Sequence, residues 1–252
     1  MHFPAAVTIK GNIIPVHTIC EWVGMFIAFR YYKWLKRRQG DVVEPTTRLA
    51  VLTAAIFGAV FGSHIIGALE NLPQWLAWPH FWDYLYGNKT LVGGVLGALL
   101  FVEVVKKLMG ETANTGDLFT FPLMLGMIIG RMGCFSMGVY EETYGLPSSL
   151  PWAMDLGDGI PRHPVALYEI VFLIALWAVL AMVRRRYSVA QGGIFKLFMI
   201  AYLSFRFLLD FIKPGWRYAL GLGTIQLTCL AGLIYYSRYI VHPRSFIKAY
   251  AC

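Results

Sequence analysis

Val165-Ala-Leu-Tyr-Glu-Ile-Val-Phe-Leu-Ile-Ala-Leu-Trp-Ala-Val-Leu-Ala-Met-Val183, followed at once by Arg184-Arg185-Arg186, decides the fold. Nineteen residues carry a single charge, Glu169, and three cations close the run. A helix needs about 20 apolar residues to cross the hydrocarbon layer. Its backbone groups must also be satisfied internally there, which favours helices over irregular chain. Working outward, six more stretches read the same way: about Ile13–Trp34, Leu49–Leu69, Thr90–Val105, Leu118–Met132, Ile194–Ile212 and Leu220–Ile240. The expected fold class is an all-α polytopic membrane protein with seven transmembrane helices, forming one domain over residues 1–252.

Composition agrees. Of 252 residues, 58% are hydrophobic and 14% charged, with seventeen Phe, fourteen Tyr and eight Trp, and the mean hydropathy is +0.57. Ordinary soluble domains are about 45–50% apolar and about 25% charged. Disorder, a coiled coil and a soluble fold are all disfavoured. The net charge of +8 does not indicate nucleic acid, because the cations sit in short clusters between apolar runs rather than on one basic face. Those clusters are Lys33 to Arg48, Lys106 with Lys107, Arg184 to Lys196, and Arg238 with Arg244 and Lys248. All fall on one side if seven helices alternate. The positive-inside rule then puts the N-terminus outside and the C-terminus in the cytoplasm. No removable signal peptide is read at the N-terminus.

Two connections on the outer side stand apart. Residues Asn71 to Lys89 hold Trp75, Trp78, Trp82, Tyr84 and Tyr86, an aromatic set suited to the headgroup layer. Residues of about 135–164 are rich in Gly and Pro and read as a folded outer loop or small cap. The four cysteines show no CxxC and no Cys/His ligand spacing, so no structural metal site is expected.

Ionisable groups inside a membrane are costly and mark candidate sites. Tyr202, Arg206 and Asp210 recur every four residues and share a helix face. Arg206 and Asp210 either neutralise each other or belong to a site. Arg131 lies between Gly130 and Gly133 at the outer end of the fourth helix. It either snorkels to the interface or binds an anion, for which guanidinium is well shaped. Glu169 is expected to be paired. Arg162 and His163 lie at the outer surface, His64 at the outer end of the second helix, and Lys89 at the start of the third. Such cations around an embedded cavity suit an anionic lipid headgroup, and the distribution alone leaves enzyme and lipid carrier both open.

Gly130-Arg131-Met132-Gly133-Cys134-Phe135, then Leu150-Pro151-Trp152-Ala153-Met154, Pro161-Arg162-His163-Pro164 with Leu167-Tyr168-Glu169, and Ala201-Tyr202 through Arg206 to Asp210-Phe211 resemble the prolipoprotein diacylglyceryl transferases in content and order. The resemblance implies a bacterial inner-membrane transferase. Such an enzyme moves a diacylglyceryl group from phosphatidylglycerol to a lipoprotein cysteine and releases glycerol phosphate. It implies catalytic roles for Arg131, Arg206, Tyr202 and Asp210, with His64 assisting proton removal. Lys89, Cys134, Arg162, His163, Glu169, Gly130 and Gly133 would line the substrate site. No metal or soluble cofactor is required, because side chains can neutralise the leaving phosphate. The pattern departs from the family at Cys134, where Asn is usual, at Val92, where His precedes the two glycines, and at Asp210, where Glu is usual. A divergent transferase with another acceptor, and a non-catalytic lipid-binding protein, are the competing expectations.

Overall fold

The computed structural model describes residues 3–9, 11–41, 43–218 and 220–242. Arg244, Lys248 and Cys252 of the sequence reading lie outside them. The chain opens with a small antiparallel hairpin, β1 (Ala6–Ile9) and β2 (Asn12–Pro15). Helices α1 (Val16–Gln39) and α2 (Pro45–Leu69) follow, then two short helices, α3 (Leu72–Ala77) and α4 (Phe81–Gly87). The long helices α5 (Leu91–Leu108), α6 (Asp117–Met137), α7 (Val165–Arg186) and α8 (Gly193–Leu209) come next, and α9 (Thr224–Tyr235) and α10 (Ser237–Val241) end the described chain. Between α6 and α7 a second ladder pairs β3 (Met154–Asp155) with β4 (Pro161–Arg162).

Each of the seven expected apolar stretches coincides with a helix, with shifted edges. Residues 13–15 are strand rather than helix. They pair in register with β1, Ile13 with Thr8, Ile14 with Val7 and Pro15 with Ala6, which holds them extended until α1 starts at Val16. The last stretch starts at Thr224 and breaks at Tyr236, whose φ and ψ of −90° and 4° close α9 before α10 begins. Helix α6 runs on through Met137, so the outer loop begins about three residues later than expected. The aromatic connection forms α3 and α4, with Asn71 capping the first by accepting from the Gln74 N–H.

Among the described residues, three helices are long and apolar enough to cross a membrane on their own: Pro45–Leu69, Asp117–Tyr140 and Val165–Arg186, the first and last at mean hydropathies of 2.0 and 2.4. The chain is thus an all-α membrane protein in its architecture. Helix α1 is long but carries six charges, α5 has 18 residues with three charges, and α8 has 17 residues. Large apolar side chains face outward along α2 (Ile56, Phe57, Val60, Phe61) and α7 (Val171, Ile174, Val179, Met182), all more than half exposed. A water-soluble surface would not carry such continuous stripes. Facing lipid, they cost nothing.

Packing follows from small residues. Helices α2 and α5 each carry glycines four apart, Gly58 with Gly62 and Gly93 with Gly97. A methyl group on Gly62 would meet the Gly93 carbonyl oxygen and stand 2.8 Å from the Gly97 Cα, and one on Gly97 would meet the Gly58 carbonyl. The two backbones therefore touch, which is how helices associate when lipid offers no hydrophobic gain. The interior centres on α8, where Phe198, Met199, Tyr202 and Leu203 are fully buried against Met124 of α6, Leu173 of α7 and Cys229 of α9.

The expected inner side is also built, not merely charged. Between α1 and α2, the Asp41 carboxylate accepts from Arg48 Nε at 2.7 Å and Nη2, and lies 3.2 Å from Lys36 Nζ. Arg48 is buried and stacks over the Phe119 ring. Burial would raise the Asp41 pKa, but the hydrogen bonds from Arg48, Lys36 and the Val43 N–H outweigh it and hold the carboxyl below its ordinary range.

Two expectations follow. Gly62→Ala or Gly97→Ala should lower thermal stability in detergent by about 1–3 kcal/mol through overpacking, while Gly87→Ala, where a methyl meets nothing within 4 Å, should leave it unchanged. Asp41→Asn should destabilise at neutral pH by about 3–5 kcal/mol, because it strands the buried Arg48 cation. A carboxylate with a depressed folded pKa stabilises above its unfolded pKa of about 3.9 and loses that contribution as pH falls through the folded value. Melting curves of parent and variant should accordingly converge below about pH 4.

Candidate active site

Glu169, one turn into α7, is fully buried. Its Oε1 accepts from the Tyr202 hydroxyl at 2.8 Å. Its Oε2 accepts from Arg206 Nη1 at 3.0 Å and lies 2.9 Å from Arg131 Nε. Three helices thus place their ionisable groups on one carboxylate: α6 through Arg131, α7 through Glu169, α8 through Tyr202 and Arg206. The four-residue spacing of Tyr202 and Arg206 puts both on the face α8 turns to α7. One turn along, Phe172 and Phe205 stack with ring centres 3.9 Å apart and close the same helix interface.

Two guanidinium cations on one carboxylate leave a net charge of +1 in the helix interior. Buried ions are tolerated when paired and hydrogen-bonded, and an excess cation is not. Arg206 Nε is buried without a hydrogen-bond partner, and Arg131 Nε meets Glu169 at ion-pair distance without hydrogen-bond alignment. The assembly is one anion short, and its donors are planar forks of the kind that bind phosphate.

Several expected residues lie elsewhere. Asp210 does not pair with Arg206. Helix α8 gives way to a 3-10 turn at Asp210–Ile212, which carries the carboxylate round to Arg217 Nη1 at 3.1 Å. Arg217 also donates to the Asp210 and Lys213 carbonyls and to Gln226 Oε1, so it clamps the exit of α8 against α9. Near this turn, burial raises the Glu70 carboxyl above its ordinary range. Burial and the Arg206 charge lower the Lys213 ammonium below its own. His64 Nδ1 donates to the Leu85 and Asn88 carbonyls at 3.0 and 3.2 Å, which ties the α4–α5 connection to α2 and leaves Nε2 as the acceptor nitrogen. Arg162 pairs with Asp158 at 2.7 Å and covers the Tyr144 ring. His163 Nδ1 lies 3.2 Å from the Tyr168 hydroxyl, which also accepts from Trp152 Nε1 at 2.8 Å. Gly130 and Gly133 are both helical, so unusual dihedrals are not their role. A methyl on Gly130 would meet nothing within 4 Å, whereas one on Gly133 would press on Cys20 and His17 of α1.

The structure adds a residue that sequence reasoning missed. His17, on the first turn of α1, lies 2.9 Å through Nδ1 from Glu141 Oε2 and 3.1 Å through Nε2 from Glu21 Oε1. Glu21 in turn accepts from Lys89 Nζ at 3.3 Å. The Cys134 thiol lies within 4.8 Å of the His17 and Glu141 ligand atoms and 3.5 Å from Arg131 Nη1. Lys89, Glu21, His17, Cys134 and Arg131 therefore form a continuous polar path from α5 across α1 to the arginine site. The His17–Glu21 spacing of four was the one legible signal. Its link to Cys134 is 117 residues long in sequence. A shallow cleft of about 520 Å³ opens beside this region between the outer loop and α7, lined by Trp152, Met154, Leu167 and Tyr168 among others and by none of the arginines.

Comparison with known proteins identifies the family. The family model for prolipoprotein diacylglyceryl transferase matches residues 4–241. A phosphatidylglycerol–prolipoprotein diacylglyceryl transferase of Nitratidesulfovibrio vulgaris is 32% identical over 210 residues, covering 77% of this chain and 76% of that one. Proteins of the same name from Bordetella bronchiseptica and Finegoldia magna are 34% and 31% identical, over 77% and 84% of this chain and 78% and 87% of theirs. With nearly its whole described length matched, the chain belongs to the prolipoprotein diacylglyceryl transferase family.

Proposed function

We propose that this protein transfers a diacylglyceryl group from phosphatidylglycerol to the cysteine thiol of a prolipoprotein. The observation that carries the reading is the convergence of Arg131 and Arg206 on Glu169, with one buried positive charge left over. A phospholipid phosphate supplies the missing anion. The names of the relatives support the donor and the acceptor.

The reaction is a displacement at the glyceryl carbon that bears the phosphate. A thiolate sulfur forms the new S–C bond, the C–O bond to phosphate breaks, and its electron pair leaves on glycerol phosphate. Negative charge grows on the departing phosphate, and preorganised guanidinium groups in a dry site stabilise it more than water would. Arg131 and Arg206 hold that phosphate. Tyr202 orients the carboxylate that positions both arginines. Asp210, through Arg217, fixes where α8 ends and so positions Arg206. Lys89, Arg162 and His163 guide the headgroup on the outer side, and His64 Nε2 receives the thiol proton.

The chain forms one domain of seven crossings in a bacterial inner membrane, with its N-terminus outside. The cation clusters at the inner ends of α1, α5 and α7 support that orientation.

In vesicles of phosphatidylglycerol with a cysteine-bearing lipoprotein peptide, Arg131→Ala and Arg206→Ala should each cut glycerol phosphate release by at least about 10²-fold, with the chromatographic profile unchanged. Lysine at either position should recover little, because it cannot reproduce the planar fork. Turnover at the parent rate in either alanine variant would remove the assignment. For topology, Ser148→Cys should react with a membrane-impermeant thiol reagent in cells with an opened outer envelope, and Ser188→Cys only after the inner membrane is permeabilised. The reverse pattern would invert the proposed orientation.

A further inference from the structure

We propose that His17, Cys134 and Glu141 form a zinc site that activates the acceptor thiol, an inference that rests on the transfer reading above. The three come from different parts of the fold: the first turn of α1, the last turn of α6 and the start of the outer loop. Their ligand atoms all lie within 4.8 Å of one another. Around a tetrahedral zinc, with bonds of about 2.0–2.3 Å, ligand atoms stand roughly 3.3–3.8 Å apart. Small side-chain adjustments close that difference.

The contact between His17 and Glu141 is itself informative. Nδ1 is 2.9 Å from Oε2, an ion-pair contact between imidazole and carboxylate. Metal binding displaces the proton that such a contact shares. The opposite nitrogen completes the pattern. His17 Nε2 lies 3.1 Å from Glu21 Oε1, at ion-pair distance, and Glu21 is held by Lys89. A carboxylate behind a metal-bound imidazole fixes its tautomer and strengthens it as a ligand.

The donor set selects the metal. One thiolate, one imidazole and one carboxylate match zinc, and three protein ligands leave the fourth position open. Two anionic ligands neutralise the dication, so the site adds no net charge beside the arginines.

The open position has a use in this reaction. A thiol that coordinates zinc loses its proton and attacks as a thiolate. The released proton passes to His64 Nε2, the sulfur bonds to the glyceryl carbon, and the C–O electron pair leaves with the phosphate. No oxidant or reductant is involved. Cys134 Sγ lies 3.5 Å from Arg131 Nη1, so a thiolate held at the fourth position sits beside the guanidinium that binds the phosphate. Cys134 is a ligand here and not a covalent carrier, because a diacylglyceryl thioether on it would have a poor leaving group for onward transfer. The departures of this chain from the family pattern thereby gain a joint purpose. Val92 stands where that pattern has its histidine, and Cys134 where it has asparagine.

The test uses the full-length protein in detergent, stripped with chelator and re-equilibrated with Zn²⁺ or Co²⁺ alone. About one zinc per chain should be retained, and the Co²⁺ form should show a thiolate-to-metal charge-transfer band. Cys134→Ser and His17→Ala should abolish both signals. Glu21→Gln should weaken zinc binding by about 10–100-fold, and Cys229→Ala, which removes a thiol in the helix interior, should change neither. Diacylglyceryl transfer by the stripped protein should fall at least about tenfold and return with Zn²⁺. No stoichiometric zinc, or a Co²⁺ spectrum without the thiolate band, overturns the metal site. Full transfer by a zinc-free preparation overturns it while leaving the transferase reading intact. Bound zinc with no transfer under any condition keeps the site and sinks that reading instead.

Discussion

A carboxylate shared by two arginines inside a helix bundle is the constraint on which this end of the molecule depends. Glu169 draws Arg131 from α6 and Arg206 from α8 onto α7, and the Tyr202 hydroxyl closes the set. Removed from water, such charges repel or attract strongly enough to fix the positions of three helices. The arrangement falls short of neutrality by one anion. That excess positive charge costs stability that the helix packing must supply.

The remaining structure can be understood as support for that placement. Backbone contact between α2 and α5 at their paired glycines builds a rigid second wall. Arg217 holds the turn after α8 by bonding to Asp210, Lys213 and Gln226. The outer loop is anchored to that same turn through the Leu146 N–H and the Ile212 carbonyl. The N-terminal hairpin meets the end of α6 through the Ala5 N–H and the Ser136 carbonyl. Loop and hairpin are thus each tied by backbone hydrogen bonds to the ends of the helices that carry the arginines.

The lipid side and the acceptor side of this region differ in kind. The arginine site is dry, helix-borne and assembled from residues whose family pattern is present. The His17–Cys134–Glu141 group lies at the boundary between bundle and loop, and its Cys134 departs from that pattern. A phosphate needs fixed positive charge. A thiol nucleophile needs only a way to lose its proton, which several kinds of residue can provide. Chemistry of the second kind tolerates replacement more readily than chemistry of the first.

Much was determined by the chain before folding. Hydrophobic length and cation placement dictated helices at seven places, since backbone in hydrocarbon has few alternatives. The spacing of Tyr202 and Arg206 assigned them one face, and the costliness of Glu169 in an apolar run marked it as partnered. What linear order left undecided was who the partners were. Spacing suggested Asp210 for Arg206, and a single 3-10 turn redirected it to Arg217. His17 passed unnoticed, because its significance comes from Cys134 and Glu141, more than a hundred residues away. Periodicity acts along one helix and is visible in the order of residues. Charge pairing and ligand geometry act across helices, over a few ångströms of space that only the packed bundle defines.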